Sequence, residues 1–242
     1  MYITFLVILA IIFAAIPILD ALPLKKNKEA TNPKDTPVAI TEKMRCKDYY
    51  KTIAIFWVLV TPILIMCLIG GISLADIGFR LIYFNHNIWF TAITLILAFV
   101  LFTYELIIPL ISKKFRERII NDNQEEMDEF PRTKKEKMLY SLVALSSAVC
   151  EETVYRGFLL FILLAVFPGI PIFLIILIAF VTFGIGHLYQ GLINAIKIGL
   201  FGALAMSLLI VTDSIILVIL LHFGGELPSA FLLSEDINSR DT

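Results

Sequence analysis

Long apolar runs separated by short polar stretches dominate this chain. Seven runs approach the roughly 20 residues that an α-helix needs to cross a bilayer, and they cover residues 2–22, 53–72, 88–111, 138–167, 170–186, 192–211 and 214–233. The pattern predicts an all-α, polytopic helical membrane protein with about seven transmembrane helices. The fourth run is longer than a bilayer requires, so we expect part of it to tilt or to begin outside the membrane.

Composition supports this assignment. Of the 242 residues, 59% are hydrophobic and only 17% are charged, an apolar content that a soluble domain of this size does not need. The net charge of −1 averages basic loops with an acidic patch, so it indicates no particular partner. The sequence contains no nucleic-acid-binding motif, and we expect the partners to be the lipid bilayer and a peptide or protein substrate.

The basic residues indicate the orientation in the membrane. Most of the 20 Lys and Arg residues lie in residues 25–51 and 113–137, and positively charged loops stay cytoplasmic. Seven alternating spans place both stretches on that side, which predicts a multi-pass protein with its N-terminus outside and its C-terminus in the cytoplasm. Positive charges follow the first apolar run instead of preceding it, which favours a membrane anchor over a cleaved signal peptide.

Two adjacent glutamates lie inside the fourth apolar run. Charges at membrane depth are costly unless they are paired or line a wet cavity, so they mark a functional site by default. On an α-helix Glu152 would stack beside Arg156, four residues later. Glu152 is then neutralised, while Glu151 remains available as a general base. The alternative is that both acids only hold helices together.

Two of the three histidines lie in or beside later apolar runs. His187 ends the fifth run, after Gly184 and Gly186, which should permit close helix approach. His222 and Glu226 share a helix face in the seventh run, where they could bind a metal, orient a water or donate to an oxyanion. The alternatives are mutual pairing for His222 and Glu226, and an interfacial, water-facing role for His187.

In this order, the three elements resemble the CPBP family of intramembrane proteases, which includes the CAAX prenyl endopeptidases of the Rce1 type and bacteriocin-processing or immunity proteins. The family pattern is Glu-Glu-x-x-x-Arg, Phe-x-x-x-His and His-x-x-x-Asn/Asp. It appears here as Glu151-Glu152-x-x-x-Arg156, Phe183-x-x-x-His187 and His222-x-x-x-Glu226. The resemblance covers residues 138–233, and residues 71–79 are similar to the family's segment ahead of the core.

The resemblance implies an endopeptidase site and a role for each residue. Glu151 and His187 would activate the hydrolytic water, while His222 and the residue at position 226 would stabilise the oxyanion. Glu152 and Arg156 would support the geometry and charge of the site. The family is often described as metalloproteases, and a metal-free, glutamate-dependent mechanism is also argued for it. If zinc is present, its ligands would be Glu151, His187 and His222.

Position 226 departs from the family pattern. An Asn amide donates hydrogen bonds, whereas an ionised Glu only accepts them and would repel an oxyanion. We interpret Glu226 as protonated or structural, because apolar burial favours the neutral acid. A cation-binding Glu226, completing a His and carboxylate zinc set, is the other possibility. A degenerate, inactive homologue is the alternative that this departure leaves open.

The predicted organisation has three parts. Residues 1–137 hold N-terminal transmembrane helices and two basic cytoplasmic loops, 138–233 a CPBP-like catalytic helical core, and 234–242 a polar C-terminal tail. The predicted function is hydrolysis of membrane-associated peptides, with or without a prenyl group. A non-catalytic immunity or binding protein of the same family is the alternative, and a transporter with a carboxylate proton relay is a third hypothesis.

Overall fold

The computed structural model describes residues 1–21, 41–84, 86–122 and 130–240. Parts of both predicted basic stretches, residues 25–40 and 123–129, lie outside these ranges. Every regular element in the described residues is helical, which confirms the all-α class. The α-helices are α1 (Tyr2–Ala21), α2 (Glu42–Gly70), α3 (Ile88–Phe102), α4 (Ile108–Ile111), α5 (Lys113–Asp122), α6 (Lys134–Glu152), α7 (Leu159–Val166), α8 (Ile172–Gly186), α9 (Leu192–Thr212) and α10 (Ile215–Arg240).

The predicted count of seven spans is not confirmed. Among the described residues, α2 and α9 are long and apolar enough to cross a membrane by length and composition. Shorter apolar helical stretches accompany them at Tyr2–Phe13, Ile88–Phe102, Ile172–Gly186 and Ile215–Leu227. Two of the predicted runs are divided, because π-helical turns at Thr103–Ile107 and Thr153–Phe158 interrupt them.

Large apolar side chains cover much of the outer surface of the bundle. Contiguous exposed apolar surface of this kind marks contact with a membrane or another apolar partner. Exposed examples occur on α2, α3, α8 and α9: Trp57, Leu68, Phe99, Phe173 and Leu200. These outward-facing side chains provide a surface suited to lipid.

Helix α6 begins in a hydrogen-bonded cap. The Thr133 side chain accepts from the Glu136 N–H, and the Glu136 carboxylate accepts from the Thr133 N–H at 2.7 Å. The other Glu136 oxygen accepts from Arg45 Nε on α2, also at 2.7 Å, and both side chains are buried. This ion pair joins the starts of α2 and α6, so it sets where α6 enters the bundle.

Helices α8 and α9 approach closely along small residues. A Cβ added to Gly184 would lie 3.0 Å from the Ala195 carbonyl oxygen, and one added to Gly199 would lie 2.9 Å from the Phe180 carbonyl oxygen. A Cβ on Gly186 would lie 3.1 Å from the Tyr155 hydroxyl. The close approach predicted for Gly184 and Gly186 is therefore confirmed.

The segment after α2 folds back onto the bundle. Ile77 is buried, and the carbonyl of Gly78 accepts from the Ile215 N–H at 2.8 Å, at the start of α10. Arg80 forms an ion pair with Asp213 at 2.9 Å, in the turn between α9 and α10. The segment after α2, which includes residues 71–79 that resemble the family's segment ahead of the core, thus holds the α9–α10 connection in place.

Helix α10 extends further than the seventh apolar run. It continues to Arg240, so residues 234–240 of the predicted polar tail are helical. The Ser234 hydroxyl is buried and donates to the Pro131 carbonyl, just ahead of α6. The end of α10 is thereby attached to the start of α6.

Candidate active site

Glu152 and Arg156 form a buried ion pair at the end of α6. Glu152 Oε2 lies 3.0 Å from Arg156 Nε, and the two side chains are 0% and 1% exposed. The pairing predicted from the four-residue spacing is therefore present. A buried carboxylate requires a partner of this kind, so Glu152 is occupied by Arg156 and is a supporting group of the site.

The backbone around this pair differs from the predicted α-helix. Residues Thr153–Phe158 form a π-helical turn, a wider turn that is frequent at functional sites. Gly157 in this turn lies against the Ile77 carbonyl, since an added Cβ would be 2.3 Å from that oxygen. The folded-back segment after α2 therefore contacts the backbone of the site, which only glycine permits.

The Arg156 guanidinium is held mainly by charge and by aromatic rings. Its Cζ lies 3.9 Å from the centroid of the Phe183 ring and 5.8 Å from that of Phe201, both cation–π distances. Its nitrogens have no aligned hydrogen-bond partner among the described residues. The phenylalanine of the second motif thus covers the arginine of the first.

His187 lies at the C-terminal end of α8, half-buried. Its Nδ1 is 2.9 Å from the Phe183 carbonyl oxygen, and its ring is 4.7 Å from the Phe183 ring. A carbonyl only accepts, so the proton resides on Nδ1 and a neutral His187 keeps the lone pair of Nε2 for another proton. Phe183 therefore determines the tautomer that suits His187 to act as a base.

His222 bridges two carboxylates. Its Nδ1 lies 2.8 Å from Glu152 Oε1, and its Nε2 lies 3.1 Å from Glu226 Oε1. Carboxylates only accept, so His222 carries both protons if both acids are ionised, and a neutral ring requires one protonated acid. The pairing of His222 with Glu226, which the sequence left as an alternative, is the arrangement observed.

Glu151 lies where the three motifs meet. Its carboxylate is within electrostatic reach of His222, His187, Glu226 and Glu152. Its Oε1 accepts a hydrogen bond of 3.2 Å from the Ser147 hydroxyl, one turn earlier on α6. Sequence reasoning missed Ser147, although its position four residues before Glu151 is a detectable signal.

The zinc set suggested by the sequence does not fit this geometry. Within the described ranges, no three His, Cys, Asp or Glu side chains are grouped so that they can hold a metal ion. Both ring nitrogens of His222 are already directed at carboxylates. In this arrangement Glu151, His187 and His222 do not form a metal centre.

The chain is similar to one known protein family over part of its length. No curated protein and no solved structure matches the chain significantly. Residues 135–227 match the family model described as Type II CAAX prenyl endopeptidase Rce1-like. The matched range begins in the first turn of α6, ends in α10 and contains all six predicted site residues. This match confirms the resemblance to the Rce1-like proteases of the CPBP family that the sequence predicted, and that family is membrane-embedded.

Proposed function

We propose that this protein is an intramembrane endopeptidase in which Glu151 activates a water molecule. The supporting observation is the unequal environment of the two adjacent acids. Glu152 is neutralised by Arg156 and His222, whereas Glu151 receives only the Ser147 hydrogen bond from the described residues. A carboxylate with free lone pairs beside two histidines has the features of a general base.

The proposed reaction is a general-base hydrolysis. The free oxygen of Glu151 takes a proton from a water molecule, and His187 Nε2 is the neighbouring hydrogen-bond acceptor for the same water. The oxygen of that water attacks the carbonyl carbon of the peptide. The tetrahedral oxyanion accepts hydrogen bonds, which stabilises it. The C–N bond then breaks as the proton held by Glu151 passes to the leaving amine, which restores the carboxylate.

His222 is the proposed hydrogen-bond donor to the oxyanion. Its Nε2 is 3.1 Å from Glu226, whose side chain is 36% exposed while that of His222 is 10% exposed. Rotation of the more exposed Glu226 away from the ring would release the Nε2–H toward the substrate. Glu152 on Nδ1 stabilises the positive charge of the ring during this step.

The proposed arrangement in the membrane keeps the predicted seven spans, with the N-terminus outside and the C-terminus in the cytoplasm. At about 1.5 Å per residue, Glu151 lies about 20 Å along the helix from Met138. The site would then be inside the bilayer and reachable from the cytoplasmic face. Cysteine accessibility labelling in intact cells tests this orientation: positions 134 and 240 should be protected and position 83 labelled.

Peptide cleavage by purified full-length protein in liposomes tests the function. The probes are two forms of one peptide ending in a CAAX sequence, farnesylated and unmodified, each with and without a strong chelator. We expect cleavage by the wild type and its loss in Glu151→Gln, a variant of equal size. Cleavage by Glu151→Gln at the wild-type rate would contradict the proposed base.

A non-catalytic binding protein of the same family is the second candidate. It is favoured by Glu226, which contacts the nitrogen of His222 needed as the oxyanion donor. This candidate predicts that the wild type binds the farnesylated peptide without cleaving it, and that Glu151→Gln binds it equally well. Product formation by the wild type excludes it.

A further inference from the structure

We propose that Ser147 is a positioning residue that sets the orientation of the Glu151 carboxylate. This inference rests on the proposed function of Glu151 as the base. The Ser147 hydroxyl donates to Glu151 Oε1 at 3.2 Å, across one turn of α6. One oxygen of the base is therefore held, and the other is left to accept the proton of water.

The direction of this hydrogen bond is unusual among the hydroxyls on the described helices. A hydroxyl inside an apolar helix ordinarily donates to the backbone carbonyl four residues earlier. Six hydroxyls of the described helices do so: Thr61 to Trp57, Ser141 to Lys137, Thr153 to Val149, Thr182 to Ile178, Ser207 to Ala203 and Thr212 to Leu208. Ser147 instead donates forward along the helix to a side chain, although the same type of carbonyl precedes it.

Burial of Ser147 makes the direction of its hydrogen bond significant. Ser147 is 7% exposed, and a buried hydroxyl requires a partner. Within the described part of the chain, Ser147 provides the one hydrogen bond that Glu151 receives. Each group therefore depends on the other, and removal of the hydroxyl leaves the Glu151 carboxylate free to rotate about its terminal torsion.

A positioning role predicts a specific kinetic change. Because Ser147 contacts the base and not the substrate, Ser147→Ala should lower kcat and change KM by less than about twofold. We expect kcat to fall about 10- to 100-fold, the loss typical when a hydrogen bond that orients a metal-ligating side chain is removed. Ser147→Thr retains a hydroxyl and should recover most of the lost kcat. A Ser147→Ala enzyme with wild-type kcat would overturn the inference.

The chain provides a matched control one residue away. Ser146 is also 7% exposed on α6, but its hydroxyl accepts from Trp57 Nε1 at 3.3 Å. Ser146→Ala removes the same atom from the same helix without touching the base. It should keep kcat within about twofold of wild type, well outside the range expected for loss of an orienting group.

Infrared difference spectroscopy tests the contact without relying on activity. The carboxyl stretching band of Glu151 is identified as the band lost in Glu151→Gln. It should shift in Ser147→Ala, and it should stay in place in Ser146→Ala and remain near its wild-type position in Ser147→Thr. An unshifted band in Ser147→Ala overturns the inference, even if the wild type cleaves neither peptide and the proposed function fails separately.

Discussion

His222 Nδ1 lies 2.8 Å from Glu152 Oε1, which joins α10 to the end of α6 across 70 positions of sequence. Glu152 in turn contacts Arg156 at 3.0 Å. Three ionisable side chains from two distant parts of the chain thus share one buried cluster. Charges buried in this way stabilise a structure only as a set, because removal of one member leaves another uncompensated.

Loss of the arginine should therefore destabilise the protein. Arg156→Ala leaves the buried Glu152 charge without its guanidinium, and we expect a loss of about 3–5 kcal/mol, as for other broken buried pairs. The double variant Glu152→Gln with Arg156→Met removes both charges and should recover part of this loss. Thermal unfolding in detergent measures the stability of the single and the double variant. A single variant as stable as wild type would contradict the interpretation of the cluster.

Arg156→Lys separates charge from shape. Lysine keeps the positive charge, yet it lacks the planar group that stacks 3.9 Å from the Phe183 ring. We expect unfolding at a temperature between those of wild type and Arg156→Ala. Equal stability of the lysine variant and wild type would show that the ring contact contributes nothing.

Position 226 provides a test of the oxyanion proposal. Glu226→Asn introduces the family residue, removes the carboxylate from His222 Nε2 and supplies an amide donor. We expect kcat to rise by up to about 100-fold, the lower end of what one oxyanion-hole donor contributes. Glu226→Ala, which releases His222 without adding a donor, is the control. A fall in kcat for Glu226→Asn would instead make Glu226 a required group of this chain.

Gly157→Ala should disturb the π-helical turn. The new methyl group would lie 2.3 Å from the Ile77 carbonyl oxygen, so backbone must move. Overpacking of this kind typically costs about 1–3 kcal/mol. Gly224→Ala is the control, because its added Cβ meets only a Phe102 ring atom at 3.7 Å. Equal unfolding temperatures for the two variants would contradict the close contact.

The Arg45–Glu136 pair predicts a dependence of stability on pH. Burial by itself raises the pKa of Glu136, but hydrogen bonds from the Thr133 and Arg132 backbone and from Arg45 lower the pKa below its ordinary value of 4.5. A carboxylate with a lowered folded-state pKa stabilises the protein above the unfolded-state pKa. That stability is lost as the pH falls below about 4.5 and through the folded-state pKa.

Glu136→Gln should lack this contribution. We expect the variant to unfold at a lower temperature than wild type at pH 7, with the difference shrinking as the pH falls below about 4.5. Thermal unfolding at a series of pH values measures the difference. A gap that stays constant down to pH 3 would show that the ionised form of Glu136 does not stabilise α6.

Hydrophobicity and local spacing in the sequence were sufficient to predict part of the fold and part of the site. Long apolar runs predicted the helical class, the three motifs identified the Rce1-like region, and the four-residue spacing predicted the Glu152–Arg156 pair. These features depend on hydrophobicity and on neighbours within one helical turn, which the sequence specifies directly. The same spacing predicted an uninterrupted α-helix through Arg156, whereas the backbone forms a π-helical turn there. The zinc set, an alternative that came from the family resemblance, does not fit the geometry of the described residues.

Tertiary structure decided the rest. Spacing allowed His222 to pair with Glu226, but it did not reveal that the other nitrogen contacts Glu152 on α6. Nor did it reveal that the Phe183 ring covers Arg156, or that Ile77 contacts Gly157. Each contact joins residues far apart in the chain, and it exists only because helix packing and the folded-back segment bring the backbones together. The sequence identified the polar groups, and the packing of the helices determined which of them pair with one another.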